Sequence, residues 1–178
     1  MALKPQDIFI ILKILAARSR RPPYAQLAVE LGMSSSEVHA SVKRAKLAGL
    51  LHGPELEDRP NLTALEEFLV HGLKYVFPAV HGELTRGVPT SYAAEPLSRV
   101  VTPSGDPAPV WPYPQGKSRG AAFHPLYRTA PAAALRDRAF YEYLTLVDAL
   151  RDGRTRERKY AEQELRRRFR GVNERRKS

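Results

Sequence analysis

Apolar and polar positions along the chain repeat with the period of helices over much of its length. Residues 4 to 17 begin with Pro5 near the first turn and Asp7 where a carboxylate suits the helix dipole. The apolar residues that follow cover almost the whole circumference of the predicted helix: Ile8, Phe9, Ile11, Leu12, Ile14 and Leu15. A helix that is apolar all round must be buried all round. It therefore needs a second cover, either the C-terminal helices or the same helix of a partner subunit.

Two further helices joined by a short turn are predicted between residues 24 and 51. Ala28 is small where a second helix must cross closely, and Gly32, four residues on, suits the left-handed conformation that ends a helix. Ser34 can cap the second helix, and Glu37, three residues later, completes a capping box. An apolar stripe at helical spacing then follows, made of Val38, Val42 and Ala45.

This spacing, together with the capping box and the exit Ala-Gly-Leu-Leu at residues 48 to 51, resembles the winged helix-turn-helix modules of bacterial transcription regulators, MarR-like ones among others. The resemblance covers roughly residues 5 to 60. It implies that the helix over residues 34 to 48 lies in the major groove of DNA. Residues 50 to 61 then read as a short wing, with a turn at Gly53-Pro54. Three acidic residues near the tip of this wing disfavour phosphate contact: Glu55, Glu57 and Asp58.

The expected DNA contacts lie on the helix face opposite the apolar stripe and in the basic loop before residue 24. Small polar side chains at a helix start can approach base edges, while lysine and arginine further on reach base edges or phosphates. Lys43 and Arg44 both lie off the apolar stripe, so we expect neither to be needed for stability. The predicted DNA-binding residues are Ser34, Ser35, Ser36, His39, Ala40, Lys43, Arg44, Lys46, Arg20, Arg21 and Tyr24.

The fold class predicted is mainly α, with a winged helix-turn-helix at the N-terminus. A helix with one leucine-lined face completes a first domain of residues 1 to 77. Residues 78 to 133 hold most of the prolines, so they are predicted to form an ordered but irregular Pro/Gly-rich strap rather than long regular elements. Residues 134 to 171 read as a pair of C-terminal amphipathic helices. Residues 172 to 178 read as a disordered basic tail.

The charge balance favours a polyanionic partner. The chain carries 29 lysines and arginines against 19 aspartates and glutamates, which gives a net charge of +10. Most of the excess lies after residue 130, where 14 basic residues face 8 acidic ones. The arginine-rich run from Arg166 to Arg170 and the tail from Asn173 go beyond an ordinary solvated helix face. They are candidates for contacting DNA phosphates or an acidic partner.

No catalytic constellation is evident, so we predict no catalytic residue, no metal site, no cofactor and no enzyme activity. The lack of cysteine excludes disulfides and thiolate zinc sites, and the five histidines have no metal-ligand spacing. The one polar cluster to watch is His81-Gly-Glu83 with Thr85-Arg86-Gly87, whose glycines favour a turn. No apolar run approaches the ~20 residues that cross a membrane, and no signal-peptide layout is present. The expected location is cytoplasmic and nucleoid-associated.

The sequence thus predicts a sequence-specific regulator of transcription that binds double-stranded DNA as a two-fold homodimer. The alternative is a protein-interaction module, such as the antitoxin (autoregulatory or not) of a toxin-antitoxin or defence operon, with its partner encoded nearby. A third interpretation is RNA binding, which the basic tail allows but which lacks the usual aromatic stacking platforms.

Overall fold

A computed structural model describes residues 2–17, 22–54, 57–102 and 105–177, and its fold is mainly helical with two small sheets. The helices are α1 (Pro5–Ala16), α2 (Tyr24–Leu31), α3 (Ser35–Leu47), α4 (Leu62–Glu67), a π-helical turn (Phe68–Gly72), α5 (Leu73–Val76), α6 (Ala130–Arg136), α7 (Arg138–Asp152) and α8 (Thr155–Lys177). The strands are β1 (Leu51–His52), β2 (Arg59–Pro60), β3 (His81–Pro89), β4 (Pro109–Pro112) and β5 (Ser118–Phe123). Two short 3-10 turns, Ser91–Ala93 and Leu97–Arg99, lie between β3 and β4.

Helix α1 forms the centre of the core. Every residue from Asp7 to Ala16 is buried, including Ile8, Phe9 and Leu12 with no measurable exposure. α3 and α7 both pack against α1. The second cover that the sequence required is therefore supplied by the C-terminal region of the same chain. The hypothesis that α1 is buried between two subunits is wrong, because no apolar face of α1 remains for a partner.

A two-stranded hairpin follows α3, as the sequence predicted. Leu51 pairs with Pro60 and His52 with Arg59 in antiparallel register. The next helix begins at the predicted cap, where the side chain of Asn61 accepts a hydrogen bond from the backbone N–H of Ala64 at 3.3 Å. The leucine-lined face of this helix is buried as expected, at Leu62, Leu65, Leu69 and Leu73.

The middle region is more regular than predicted. β3 is nine residues long, and it pairs antiparallel with both β4 and β5, which pair parallel with each other to close a small barrel. The glycines of this region allow close approach of the strands. A Cβ on Gly87 would lie 2.0 Å from the carbonyl oxygen of Trp111, and one on Gly120 would lie 1.9 Å from that of Ala108. The prediction of an irregular strap was wrong, because it treated the prolines and glycines of this region as evidence against long regular elements.

A buried polar network attaches this barrel to α7. The carboxylate of Asp148 accepts hydrogen bonds from the Thr90 hydroxyl at 2.7 Å, the Trp111 indole at 2.7 Å and the Arg151 guanidinium at 2.9 Å. Arg151 also donates to the backbone carbonyls of Phe77, Pro78 and His124. Each buried charge in the network therefore has partners, as a stable interior requires.

The C-terminal region is helical over a longer range than predicted. The stripe expected along α7 is buried, at Phe140, Leu144, Val147 and Leu150. α6 begins at Ala130, four residues before the expected boundary, and α8 continues through Lys177. Residues 172 to 177 are thus part of a helix and not a disordered tail. α7 and α8 pack against each other through Ala161, Leu165 and Phe169 of α8, which are buried.

Candidate nucleic-acid interface

The start of α3 is fixed by the capping box that the sequence predicted. The Ser34 hydroxyl accepts a hydrogen bond from the backbone N–H of Glu37 at 3.2 Å, and the Glu37 carboxylate accepts one from the backbone N–H of Ser34 at 2.9 Å. Glu37 also accepts a hydrogen bond from the Tyr127 hydroxyl at 2.8 Å. The Ser34 backbone bond, followed by the Tyr127 bond, lowers the pKa of Glu37 to about 2. Glu37 is therefore a fully engaged carboxylate.

The turn between α2 and α3 is held by the segment that follows β5. Gly32 ends α2 in the left-handed conformation, with φ of 63°, as predicted. The Thr129 hydroxyl donates to the carbonyl oxygen of Leu31 at 2.5 Å, and a Cβ on Gly32 would lie 3.2 Å from the Thr129 methyl carbon. Thr129 and Tyr127 thus clamp α2 and the first turn of α3 to each other from outside the helix pair.

One face of α3 is packed and the opposite face is open. Val38, Val42 and Ala45 are buried against α1 and α2, as the apolar stripe predicted. The exposed face carries mostly small and polar side chains, together with one lysine and one leucine: Ser35, Ser36, His39, Ala40, Lys43 and Leu47. Leu47 is 67 % exposed, so neither the hairpin nor the core covers it.

Arg44 does not belong to the exposed face. Its guanidinium donates to the Asp7 carboxylate at 2.8 and 2.6 Å and to the Ser41 hydroxyl at 2.8 Å, and both charged residues are buried. The bonds to Asp7 raise the pKa of Arg44 above its ordinary value. Arg44 links α3 to α1, and its Nε and Nη2 groups are engaged within the protein. The structure therefore replaces the expectation that Arg44 is not needed for stability with the opposite prediction.

Tyr24 and Lys46 are held by a single buried carboxylate. The Tyr24 hydroxyl donates to Asp58 at 2.7 Å, and the Lys46 ammonium forms an ion pair with the same side chain. Asp58 is only 2 % exposed, so it lies under the hairpin and not at its tip as the sequence suggested. The ring of Tyr24 is buried and packs edge-on against His39, with 4.4 Å between centroids. These contacts join the hairpin to α2 and α3 and use much of the hydrogen-bonding capacity of Tyr24 and Lys46.

The free positive charge on this face is small. Within the described residues, Lys43 is exposed and has no hydrogen bond or ion pair. Arg20 and Arg21 lie outside the described residues. Arg128 is an exposed cation that sequence reasoning missed, because 91 positions separate it from Glu37 along the chain. It interacts electrostatically with Glu37 and lies over the Tyr127 ring at 5.7 Å, which places it at the first turn of α3.

Three arginines of the run in α8, which was expected to be uncompensated, are paired with carboxylates. Arg166 binds Glu66 and Glu162 at 2.7 Å each, and Arg167 binds Glu164 at 2.7 Å. Arg168 lies between two acids on different helices: Glu142 of α7 at 2.6 Å and Glu164 of α8 at 2.7 Å. Arg166 and Arg168 attach α8 to α4 and α7, whereas Arg167 pairs within α8, so these three arginines are less available to a polyanion than the sequence suggested.

Metal-binding groups, membrane-spanning helices and similar proteins were searched for as further indications of function. In the described ranges, no group of three or more metal-ligating His, Cys, Asp or Glu side chains occurs, and no helix is long and apolar enough to cross a membrane. No protein family matches the chain, and no characterised protein or solved structure is significantly similar to it. The case for function therefore depends on the geometry of this face.

Proposed function

We propose that the chain is a DNA-binding regulator whose α3 enters the major groove. The observation that carries this proposal is the open face of α3, which runs the length of a 13-residue helix. Such a helix is about 20 Å long, and the major groove, about 12 Å wide, admits one α-helix. Serine and alanine side chains at the first two turns let the helix backbone approach base edges closely.

The side chains proposed to act in DNA binding differ in what they can contact. Ser35, Ser36 and His39 offer hydrogen-bonding groups to base edges, and Ala40 offers a methyl group to thymine. Lys43 reaches bases or phosphates, and Arg128 adds a cation at the start of α3. Arg44, Lys46 and Tyr24 act indirectly, since they fix the orientation of α3. A two-fold dimer with one α3 in each half-site would need an interface other than α1.

Ala40→Glu tests this proposal most sharply. Ala40 is exposed, so the substitution leaves the fold intact while it places a carboxylate against the bases and phosphates. Duplexes selected from a random library by the wild-type chain should bind Ala40→Glu at least about 100-fold more weakly, because a buried unpaired charge costs several kcal/mol. Gln163→Glu, an exposed position on α8, is the control with the same charge change and should bind normally. Equal binding by both variants would remove α3 from the interface.

A second candidate is a protein partner on the same surface. Val29 on α2 and Leu47 on α3 are 75 % and 67 % exposed, and apolar residues of this kind suit a protein interface more than a phosphate backbone. An antitoxin bound to a toxin encoded beside it would use such residues. Val29→Ser with Leu47→Ser should then abolish co-purification with the co-expressed neighbouring gene product. Val29→Ser alone, which lies on α2 and outside the open face of α3, should leave DNA selection nearly unchanged if the first proposal holds.

A further inference from the structure

The strands β3 and β5 place two arginines directly opposite each other. Arg86 and Arg119 are partners in the antiparallel register, and both are exposed. Directly opposed residues have Cβ atoms about 4.5 to 5.5 Å apart, and like charges at such positions destabilise a sheet. Lys117, two residues before Arg119, is also exposed. Folding alone gives no reason for three cations here.

These three side chains have no carboxylate partner among the residues described. None of them takes part in an ion pair, and Glu83, the nearest acid along β3, pairs with neither arginine. Three exposed arginines elsewhere are compensated: Arg99 binds Glu95 at 2.8 Å, Arg138 binds Glu95 at 2.7 Å and Arg154 binds Asp106 at 2.7 Å. The charge of the β3–β5 cluster is therefore available to a ligand.

The backbone beneath the cluster is tightly held. Gly87 pairs with Pro112 on one side and Ser118 on the other, so the turn between β4 and β5 wraps around it. A Cβ on Gly116 would lie only 2.2 Å from the carbonyl oxygen of Gly87, and the backbone N–H of Tyr113 donates to the Arg86 carbonyl at 3.1 Å. A cluster on a fixed backbone loses little conformational freedom when it binds a ligand.

We infer that Arg86, Lys117 and Arg119 form a contact surface for the phosphodiester backbone of DNA, separate from α3. The guanidinium fork matches phosphate oxygens in two parallel hydrogen bonds, and an opposed pair can hold one or two phosphates. A protein interface would need an apolar core, whereas Leu84 is the one large apolar residue exposed on the same strand. This inference rests on the proposed function for the identity of the polyanion. The cluster adds affinity for DNA that does not depend on the base sequence.

The test compares two triple variants with equal loss of charge. Arg86→Gln/Lys117→Gln/Arg119→Gln removes the cluster, and Arg99→Gln/Arg138→Gln/Arg154→Gln removes three exposed, ion-paired arginines. Binding of random-sequence duplex is measured across a salt series. Each lost phosphate contact lowers the salt slope by about 0.9, so the cluster variant should lose up to about 2.7 and the control almost nothing. The Tm of the cluster variant should equal or exceed that of the wild type, since the repulsion is removed.

The outcomes separate this inference from the α3 proposal. An unchanged slope in the cluster variant, with Ala40→Glu still defective, overturns the inference and leaves α3 in place. A reduced slope with Ala40→Glu normal supports the cluster and overturns the α3 assignment. Equal slopes for the two triple variants mean that net charge alone acts, which overturns the inference. Loss of binding to polyglutamate but not to duplex points to an acidic protein and also overturns it.

Discussion

α8 and the β3–β5 cluster use their cations in opposite ways. α8 holds the densest arginine run in the chain, and Arg166, Arg167 and Arg168 each bind one or two carboxylates. The sheet holds only three cations near one another, and none has an ion pair among the described residues. Pairing with carboxylates therefore withdraws three arginines of the α8 run, whereas it withdraws no cation of the β3–β5 cluster. Net charge indicates which class of partner to expect. The ion pairs of each side chain then indicate which surface is open to that partner.

The same distinction divides α3. Lys43 and Arg44 are neighbours in sequence, yet one is exposed and the other is buried against Asp7. Since a helix turns about 100° per residue, adjacent positions lie on different faces. A basic residue on a proposed recognition helix can thus contact DNA only when it is not already paired with a carboxylate of the same protein.

The substitution with the largest expected effect on stability tests the difference between the buried Arg44 and the exposed Lys43. Arg44→Met keeps most of the side-chain volume but leaves the buried Asp7 carboxylate without its guanidinium. We expect a loss of about 3 to 5 kcal/mol in the free energy of unfolding, as for other broken buried ion pairs. Lys43→Met, the exposed neighbour, should change stability by less than about 0.5 kcal/mol. Urea denaturation of both variants makes the comparison.

A double variant separates the effect of the broken ion pair on stability from the effect of lost side-chain packing. Asp7→Leu with Arg44→Met removes both charges, and it should recover a substantial part of the stability, because replacing a buried pair by apolar residues is often nearly neutral. The recovery should be incomplete, since Asp7 also accepts the backbone N–H of Lys4 at 2.8 Å. If Arg44→Met is as stable as the wild type, the ion pair does not hold α3 on α1.

The parts of this fold that were predictable are those set by residues close in sequence. Gly32 and the pair Ser34 and Glu37 fix the helix turn within six positions, and the stripe beginning at Val38 follows from helical periodicity alone. The hairpin after α3 and the buried stripe of α7 belong to the same class. Local signals therefore located the candidate site.

The parts that failed depend on partners distant in sequence. Asp7 lies 37 positions before Arg44, and its position in a first helical turn already had a sufficient explanation in the helix dipole. The small barrel was missed because Gly87 and Gly120 meet backbone atoms of other strands, and a glycine needed for close approach looks the same in sequence as a glycine in a turn. The pairing of Arg86 with Arg119 depends on the register of this barrel, so the sequence did not predict it either.

A smaller loss of stability is expected from a substitution at the contact between α8 and α7. Arg168 is 16 % exposed and bridges Glu142 and Glu164, so Arg168→Met leaves two partly buried carboxylates with fewer donors. We expect a loss of about 1 to 3 kcal/mol in unfolding free energy. Arg170→Met is the matched control on the same helix, because Arg170 is exposed, and it should be nearly neutral. Equal stability of the two variants would show that the α8 arginines are as free as those of the sheet.

The smallest expected effect on stability concerns Glu37, a half-buried carboxylate that is hydrogen-bonded within the protein. The pKa of Glu37 is about 2, against an ordinary value of 4.5, because Ser34 and Tyr127 donate to its ionised form. A carboxyl group whose pKa is lower in the folded state stabilises the fold above the unfolded pKa, and this contribution is lost as the pH falls through the folded pKa. The Tm difference between the wild type and Glu37→Gln should therefore be constant above pH 5. It should shrink between about pH 4.5 and pH 2 and vanish below.

Tyr127→Phe tells apart the two sources of this pKa shift. It removes one donor to Glu37 and leaves the Ser34 capping bond in place, so the pKa of Glu37 should rise part of the way towards its ordinary value. In this background, the Tm difference caused by Glu37→Gln should be smaller at neutral pH and should disappear at a higher pH than in the wild type. A pH profile identical to that of the wild type would mean that the capping bond alone holds the carboxylate. The Tyr127 hydroxyl would then add nothing to the stability of the ionised Glu37.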